Sequence, residues 1–189
     1  WESEQTGMVG KFNTEDVLKV LEDLEQLLDT SIQSEELIER LKRSYLGQDN
    51  LADATRSLVN HLFQKWGLVI LDGDDQVAKR FFAQVVKDEL LNSKSHDLVK
   101  NTIDSFPKGC TAQVNPREIN LFYGHNGIRE RILFEEEQYK VNNTTIRFQE
   151  SEILKELEKY PERFSPNVIL RPLYQEMILP NLMYIGGAA

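Results

Sequence analysis

Cysteine is almost missing from this sequence: Cys110 is the only one. No disulfide can close within the chain, which fits a reducing, cytoplasmic setting. Histidine is scarce as well. His61, His96 and His125 stand far apart, without metal-ligand spacing, so no metal is expected. Basic charge is also short: 22 Lys and Arg against 31 Asp and Glu leave a net charge of −9. A sequence-independent nucleic-acid binder needs a basic surface, so that class is excluded. No apolar run reaches the length of a membrane span, and no signal peptide opens the chain.

What is present is 40% hydrophobic content over 189 residues, enough for a real core. The chain begins on Trp1 and stops just after Gly186-Gly187, where a helix is expected to begin. Both ends read as cut, and the whole as a piece of a longer polypeptide.

From Asn13 the pattern is helical, with a seam of Val17, Leu21, Leu24 and Leu28. A second helix follows Ser34, with Leu37, Leu41 and Tyr45 inward, and Gly47 closes it. A third runs from about Asn50 to Trp66, with Leu58, Leu62, Phe63 and Trp66 on its buried side and Gly67 as the left-handed stop. Leu68-Val69-Ile70-Leu71 then reads as a buried parallel strand. It ends in the acidic turn Asp72-Gly73-Asp74-Asp75, followed by a helix over about 76–91. A further helix spans about 97–106.

Residues 110–148 carry short strand candidates: 111–114, 120–123, 129–134, 139–141 and 144–148. Turns at His125-Asn126-Gly127 and Asn142-Asn143 join some of them. A helix capped by Ser151 leads to Pro161. In the last stretch, Pro172 suits a helix's first turn, with Leu173, Met177 and Ile178 on one face. Pro180 stops that helix. Leu182-Met183-Tyr184-Ile185 reads as a second buried strand, and Gly186-Gly187 end it where open α/β sheets place ligands. The expected fold is α/β: a Rossmann-like parallel sheet with flanking helices and a β-rich connecting insertion. The domains expected are a core with a helical N-terminal part at 1–109, an antiparallel insertion at 110–148, and a return to the core at 149–189.

Polar residues in apolar surroundings need partners. Asn167, Arg171 and Gln175 therefore either brace a loop or line a site, and Arg171 suits a carboxylate or phosphate in a two-pronged grip. Gly186 and Gly187 would let backbone N–H groups approach an anion. Asp72, Asp74 and Asp75 at a strand end can hold Mg²⁺ with phosphates or bond sugar hydroxyls; the plain alternative is that Asp74 or Asp75 caps the next helix. Cys110 has no neighbouring base in sequence, and an idle thiol is expected rather than a nucleophile.

Asn120-Leu121-Phe122-Tyr123 with Arg129, the block from Phe164 to Glu176, and the block from Leu179 to Gly187 together resemble the bacillithiol biosynthesis family of cysteine-adding enzymes, the bacillithiol synthases. Leu68 to Asp75 after Trp66-Gly67 matches as well, so the resemblance runs from about residue 35 to the end. It implies a Rossmann-like core with connecting-peptide insertions, laid out like class I aminoacyl-tRNA synthetases. It also implies a cytosolic ligase that joins L-cysteine to glucosaminyl-malate through an amide bond. A coiled coil outside this segment would make the full-length protein a homodimer. The segment alone is expected to be inactive. No catalytic residue or cofactor is identified, though a nucleotide is the common activator of a carboxylate. Two other readings stand beside it: a noncatalytic acidic segment whose helices over 13–66 bind a partner helix, and a Mg²⁺-dependent phosphatase centred on Asp72.

Overall fold

The computed structural model describes residues 9–183 and 185. The chain divides into two units, one ending at Asp72 and the other beginning at Gly73. The first unit is helical: α1 (Val17–Leu27), α2 (Ile32–Tyr45) and α3 (Leu51–Phe63), extended by a 3-10 turn at Gln64–Trp66. Ser31 caps α2 by accepting from Ser34 N–H, and Asn50 caps α3 by accepting from Asp53 N–H. Each side chain satisfies a donor that the first helical turn leaves over. Gly67, at φ +74°, closes the 3-10 turn in the left-handed region where a side chain would be strained. Leu21, Ile38 and Ala54 form the small buried centre of this unit. Leu62, Phe63 and Trp66, expected inside, are exposed, and so is His61. In α3 the face carrying Ala54 turns inward instead.

The second unit holds α4 (Gln76–Asn92), α5 (Lys94–Asp104), β1 (Leu121–His125), β2 (Ile128–Glu135), β3 (Gln138–Val141), β4 (Arg147–Phe148), α6 (Glu150–Lys159), β5 (Phe164–Pro166) and α7 (Arg171–Ile178). The five strands form one sheet in the order β4-β3-β2-β1-β5, and every pairing is antiparallel. Asn126 and Gly127, both at positive φ, make the two-residue β1–β2 turn. Pro166 stands opposite Leu121 on edge strand β5, where a missing N–H costs no ladder bond.

Helix α4 presents Ala78, Phe82, Val86 and Leu90 at four-residue intervals, a single buried stripe. It meets Leu121, Tyr123, Ile132, Tyr139 and Val141 of the sheet, Ile153 and Leu157 of α6, and Phe164, Leu170 and Tyr174 in one core. Tyr139 donates its hydroxyl to Leu90 O at 2.9 Å. Phe82 and Tyr174 meet edge to face at 5.0 Å between ring centres.

Several expectations are not met among the described residues. The sheet among the described residues is antiparallel, and no parallel pairing is found there. Leu68–Leu71 forms no strand, and Leu68, Val69 and Leu71 are exposed. An apolar run favours burial, but a strand also needs a neighbour to take its N–H and C=O groups, and no described strand lies beside this one. Leu182, Met183 and Ile185 likewise form no strand and are exposed; Tyr184, Gly186 and Gly187 lie outside the described residues. The segment 111–114 is also not a strand. In α7 the buried residue is Tyr174, while Leu173 and Met177 face outward.

Candidate functional site

Two ionisable groups fall on the apolar stripe of α4, one near each end. Lys79 is the fourth residue of the helix and Glu89 the fourth from its end; each is 2% exposed. Both oppose the helix dipole, which disfavours a cation near the N-terminus and an anion near the C-terminus. Each therefore needs partners, and each has them. Lys79 Nζ donates to Phe164 O and to Ser165 Oγ, both at 2.8 Å, and lies 3.3 Å from Asp74 Oδ1. Glu89 accepts from the N–H and hydroxyl of Ser95 and from the N–H and side-chain amide of Asn120, at 2.7–3.1 Å.

Around Lys79, Gly73, Asp74 and Asp75 of the acidic turn are each held in place. Asp75 caps α4, its Oδ1 accepting from Ala78 N–H at 2.8 Å. Gly73 O accepts from the Tyr174 hydroxyl at 3.1 Å, which ties the turn to α7. Asp74 is paired with Lys79. Asp72 belongs to the first unit and is half-buried. The helix-cap alternative thus applies to Asp75, with Asp74 pinning a buried lysine. With two of its carboxylates occupied in this way, the turn offers little to a phosphatase.

Asn120 is fully buried and links four elements. Its side-chain amide donates to Glu89, Ser95 Oγ and Arg117 O, and its Oδ1 accepts from Arg117 N–H and Asn167 Nδ2. Asn167 in turn accepts from Ile169 N–H at 2.8 Å through Oδ1, and its own carbonyl accepts from Arg171 N–H at 2.9 Å. The first turn of α7 is thus set by Asn167, and Asn167 is set by Asn120.

Arg171 and Gln175 emerge from α7 as exposed neighbours, with guanidinium and amide oxygen 3.4 Å apart. They line an open cleft of about 590 Å³ with Pro172, Glu176, Asn181, Leu182 and Met183. Glu176 holds the end of the chain beyond α7, accepting from Asn181 N–H at 3.0 Å and from its side-chain amide at 2.8 Å. Among the described residues Arg171 meets no carboxylate within ion-pair distance. Asp74 and Asp75 are not among the described residues lining the cleft. The structure therefore brings Arg171 and Gln175 together, ties Asn167 to the start of their helix through its carbonyl, and joins Gly73 to the same helix through the Tyr174 hydroxyl.

Lys79, Glu89, Asn120, Glu176 and Asn181 were not singled out as site residues from the sequence. A lysine and a glutamate in register with an apolar stripe were the available signal for the first two, because such groups are seldom buried without a purpose. Among the described residues no group of His, Cys, Asp or Glu has the arrangement of a metal site, and no helix is long and apolar enough to cross a membrane. No described strand runs into a glycine-rich helix start of the kind that cradles a dinucleotide.

The whole chain, residues 1–189, matches the family model described as "Bacillithiol biosynthesis BshC, N-terminal Rossmann-like domain". Among curated proteins it is 52% identical over 187 residues to "Putative cysteine ligase BshC" of Flavobacterium johnsoniae, covering 99% of this chain and 35% of that protein. The protein of the same name from Cytophaga hutchinsonii is 41% identical, over 99% of this chain and 34% of its own length. That of Salinibacter ruber is 31% identical, over 96% and 34%. The chain thus spans about a third of the length of these relatives. A match over every residue, together with identity well above 30%, shows that this chain belongs to the BshC N-terminal Rossmann-like domain family of bacillithiol biosynthesis.

Proposed function

We propose that this chain is part of a ligase that joins L-cysteine to glucosaminyl-malate through an amide bond, acting in the cytoplasm as a homodimer in its full-length form. The observation that carries the reading is the family match across residues 1–189, joined to relatives named as cysteine ligases. Forming an amide requires the amine and an activated carboxyl carbon to be held within reach of one another. The residues of α7 supply a holding device. Arg171 grips a substrate carboxylate, Gln175 steadies the guanidinium and offers its amide to a hydroxyl or amine, and Asn167 fixes the helix start that carries both. Asp72, Asp74 and Asp75 are the groups proposed to bond a sugar hydroxyl or the glucosamine ammonium. Gly186 and Gly187 are proposed to open backbone N–H groups to an anion.

Deleting the parent gene tests the reading. Cellular bacillithiol should vanish and return on complementation with the intact gene. Persistence of bacillithiol in the deletion strain would overturn it.

A further inference from the structure

We infer that the cleft beside α7 takes a free α-amino acid, held by both its carboxylate and its ammonium group, and so is the L-cysteine subsite. The inference rests on the proposed ligase function and narrows what Arg171 grips. Among the described residues the cleft presents one cation, Arg171, and one anion, Glu176, so the charge of that lining is balanced. A zwitterion is matched by that pair. Glucosaminyl-malate is not, because its two carboxylates would share a single guanidinium and leave one charge without a counterpart.

The partners of each group agree with this. Among the described residues Arg171 makes only the long contact with Gln175, which leaves most of its donor fork free for a carboxylate. Glu176 accepts one bond on each oxygen from Asn181, an arrangement that orients the carboxylate and leaves further lone pairs for an ammonium. Arg171 and Glu176 are five residues apart on one helix, so they flank the opening rather than stack along one line. Pro172, Leu182 and Met183 add apolar surface suited to a short thiol-bearing side chain.

Calorimetry on the full-length protein tests this, with L-cysteine, 3-mercaptopropionate and cysteamine as ligands, each with and without glucosaminyl-malate. The last two are cysteine lacking its ammonium or its carboxylate. Each should bind about tenfold more weakly than cysteine or worse, the scale of one lost charge-assisted hydrogen bond. Glu176→Gln should erase the difference between cysteine and 3-mercaptopropionate. Arg171→Ala should erase that between cysteine and cysteamine. In both variants the melting temperature should stay near that of the parent.

Absence of cysteine binding under both conditions overturns the inference. So does undiminished cysteine binding in both variants. If Arg171→Ala weakens glucosaminyl-malate and spares cysteine, the subsite assignment fails while the ligase reading stands. If bacillithiol survives gene deletion, the ligase reading itself is what fails.

Discussion

Asn167 is bound to Asn120 twice, through its backbone N–H to Asn120 O at 3.0 Å and through its side-chain amide to Asn120 Oδ1 at 2.8 Å. Because Asn120 is also held by Glu89 on α4, the start of α7 is fixed by a buried network instead of by local helix propensity. A network of this kind is secure only when every member is satisfied. Asn120→Ala strips Glu89 of its side-chain amide donor and takes the acceptor from Asn167 Nδ2, leaving a buried carboxylate undersupplied and Asn167 held to that position only through its backbone. The expected cost is about 2–3 kcal/mol in urea unfolding. Amide exchange at Ile169 and Leu170, whose N–H groups Asn167 Oδ1 accepts, should accelerate in the same variant.

Lys79 answers to the same logic with opposite charge. Lys79→Ala would leave Asp74 without its cation, and Phe164 O and Ser165 Oγ without a donor. Lys79 is buried while Asp74 is 28% exposed, so the carboxylate left behind is partly solvated and the loss should be about 1–3 kcal/mol. The double variant Lys79→Met with Asp74→Asn should recover much of that loss, since it removes the stranded charge and refills the volume. Denaturant midpoints of the single and double variants measure the coupling. Equal loss in both would mean the ion pair is not what holds the turn against β5.

Asp75 separates a cap from a ligand. Its oxygen accepts from Ala78 N–H at the start of α4, and asparagine caps as well as aspartate does. Asp75→Asn should leave thermal stability near that of the parent, while Asp75→Ala should cost about 1 kcal/mol. A fall in glucosaminyl-malate binding for the asparagine variant at unchanged stability would show that the charge serves the substrate as well.

Tyr123 gives a pH signature. Burial, and then the hydrogen bond it donates to Glu156 at 2.7 Å, push its hydroxyl up to about 12 from an ordinary value of 10.0. The unfolded chain therefore loses this proton before the folded chain does. The tyrosine's contribution to stability is complete below pH 10 and is lost as pH climbs from there toward about 12. Spectrophotometric titration should find Tyr123 ionising late, with Tyr139 also raised by burial, and Tyr123→Phe should remove one of these late steps and flatten the alkaline fall in stability.

Much of this could be read from residue order, and the exceptions share a cause. The α4 stripe and the Asn126-Gly127 turn follow from local rules that a chain cannot easily evade: one is a 3.6-residue period, the other a need for positive φ. The β2–β3 turn escaped notice because Glu136 and Glu137 adopt positive φ without being turn formers. Leu68–Leu71 misled because composition reports a wish for burial, whereas pairing depends on a neighbour elsewhere in the polypeptide. For the candidate site, Arg171 and Gln175 stood out by residue type, as polar groups in an apolar stretch. Glu89 and Asn120 were not, because a 31-residue separation conceals their contact.

The cleft itself yields the most direct variant. Arg171 is exposed and its guanidinium hydrogen-bonds only Gln175 among the described residues, so Arg171→Ala should change stability by less than about 0.5 kcal/mol. If its guanidinium grips a substrate carboxylate, the same change should cut substrate affinity by about tenfold or more, the worth of one charged hydrogen bond. Arg171→Lys should restore charge but not the two-pronged fit, and should fall between parent and alanine. Gln175→Ala should show a smaller loss, because it removes only a bond of 3.4 Å that steadies the arginine. Calorimetric affinity and melting temperature, taken together on the full-length protein, distinguish this outcome from damage to α7. Affinity unchanged in the alanine variant would place the arginine outside the binding surface.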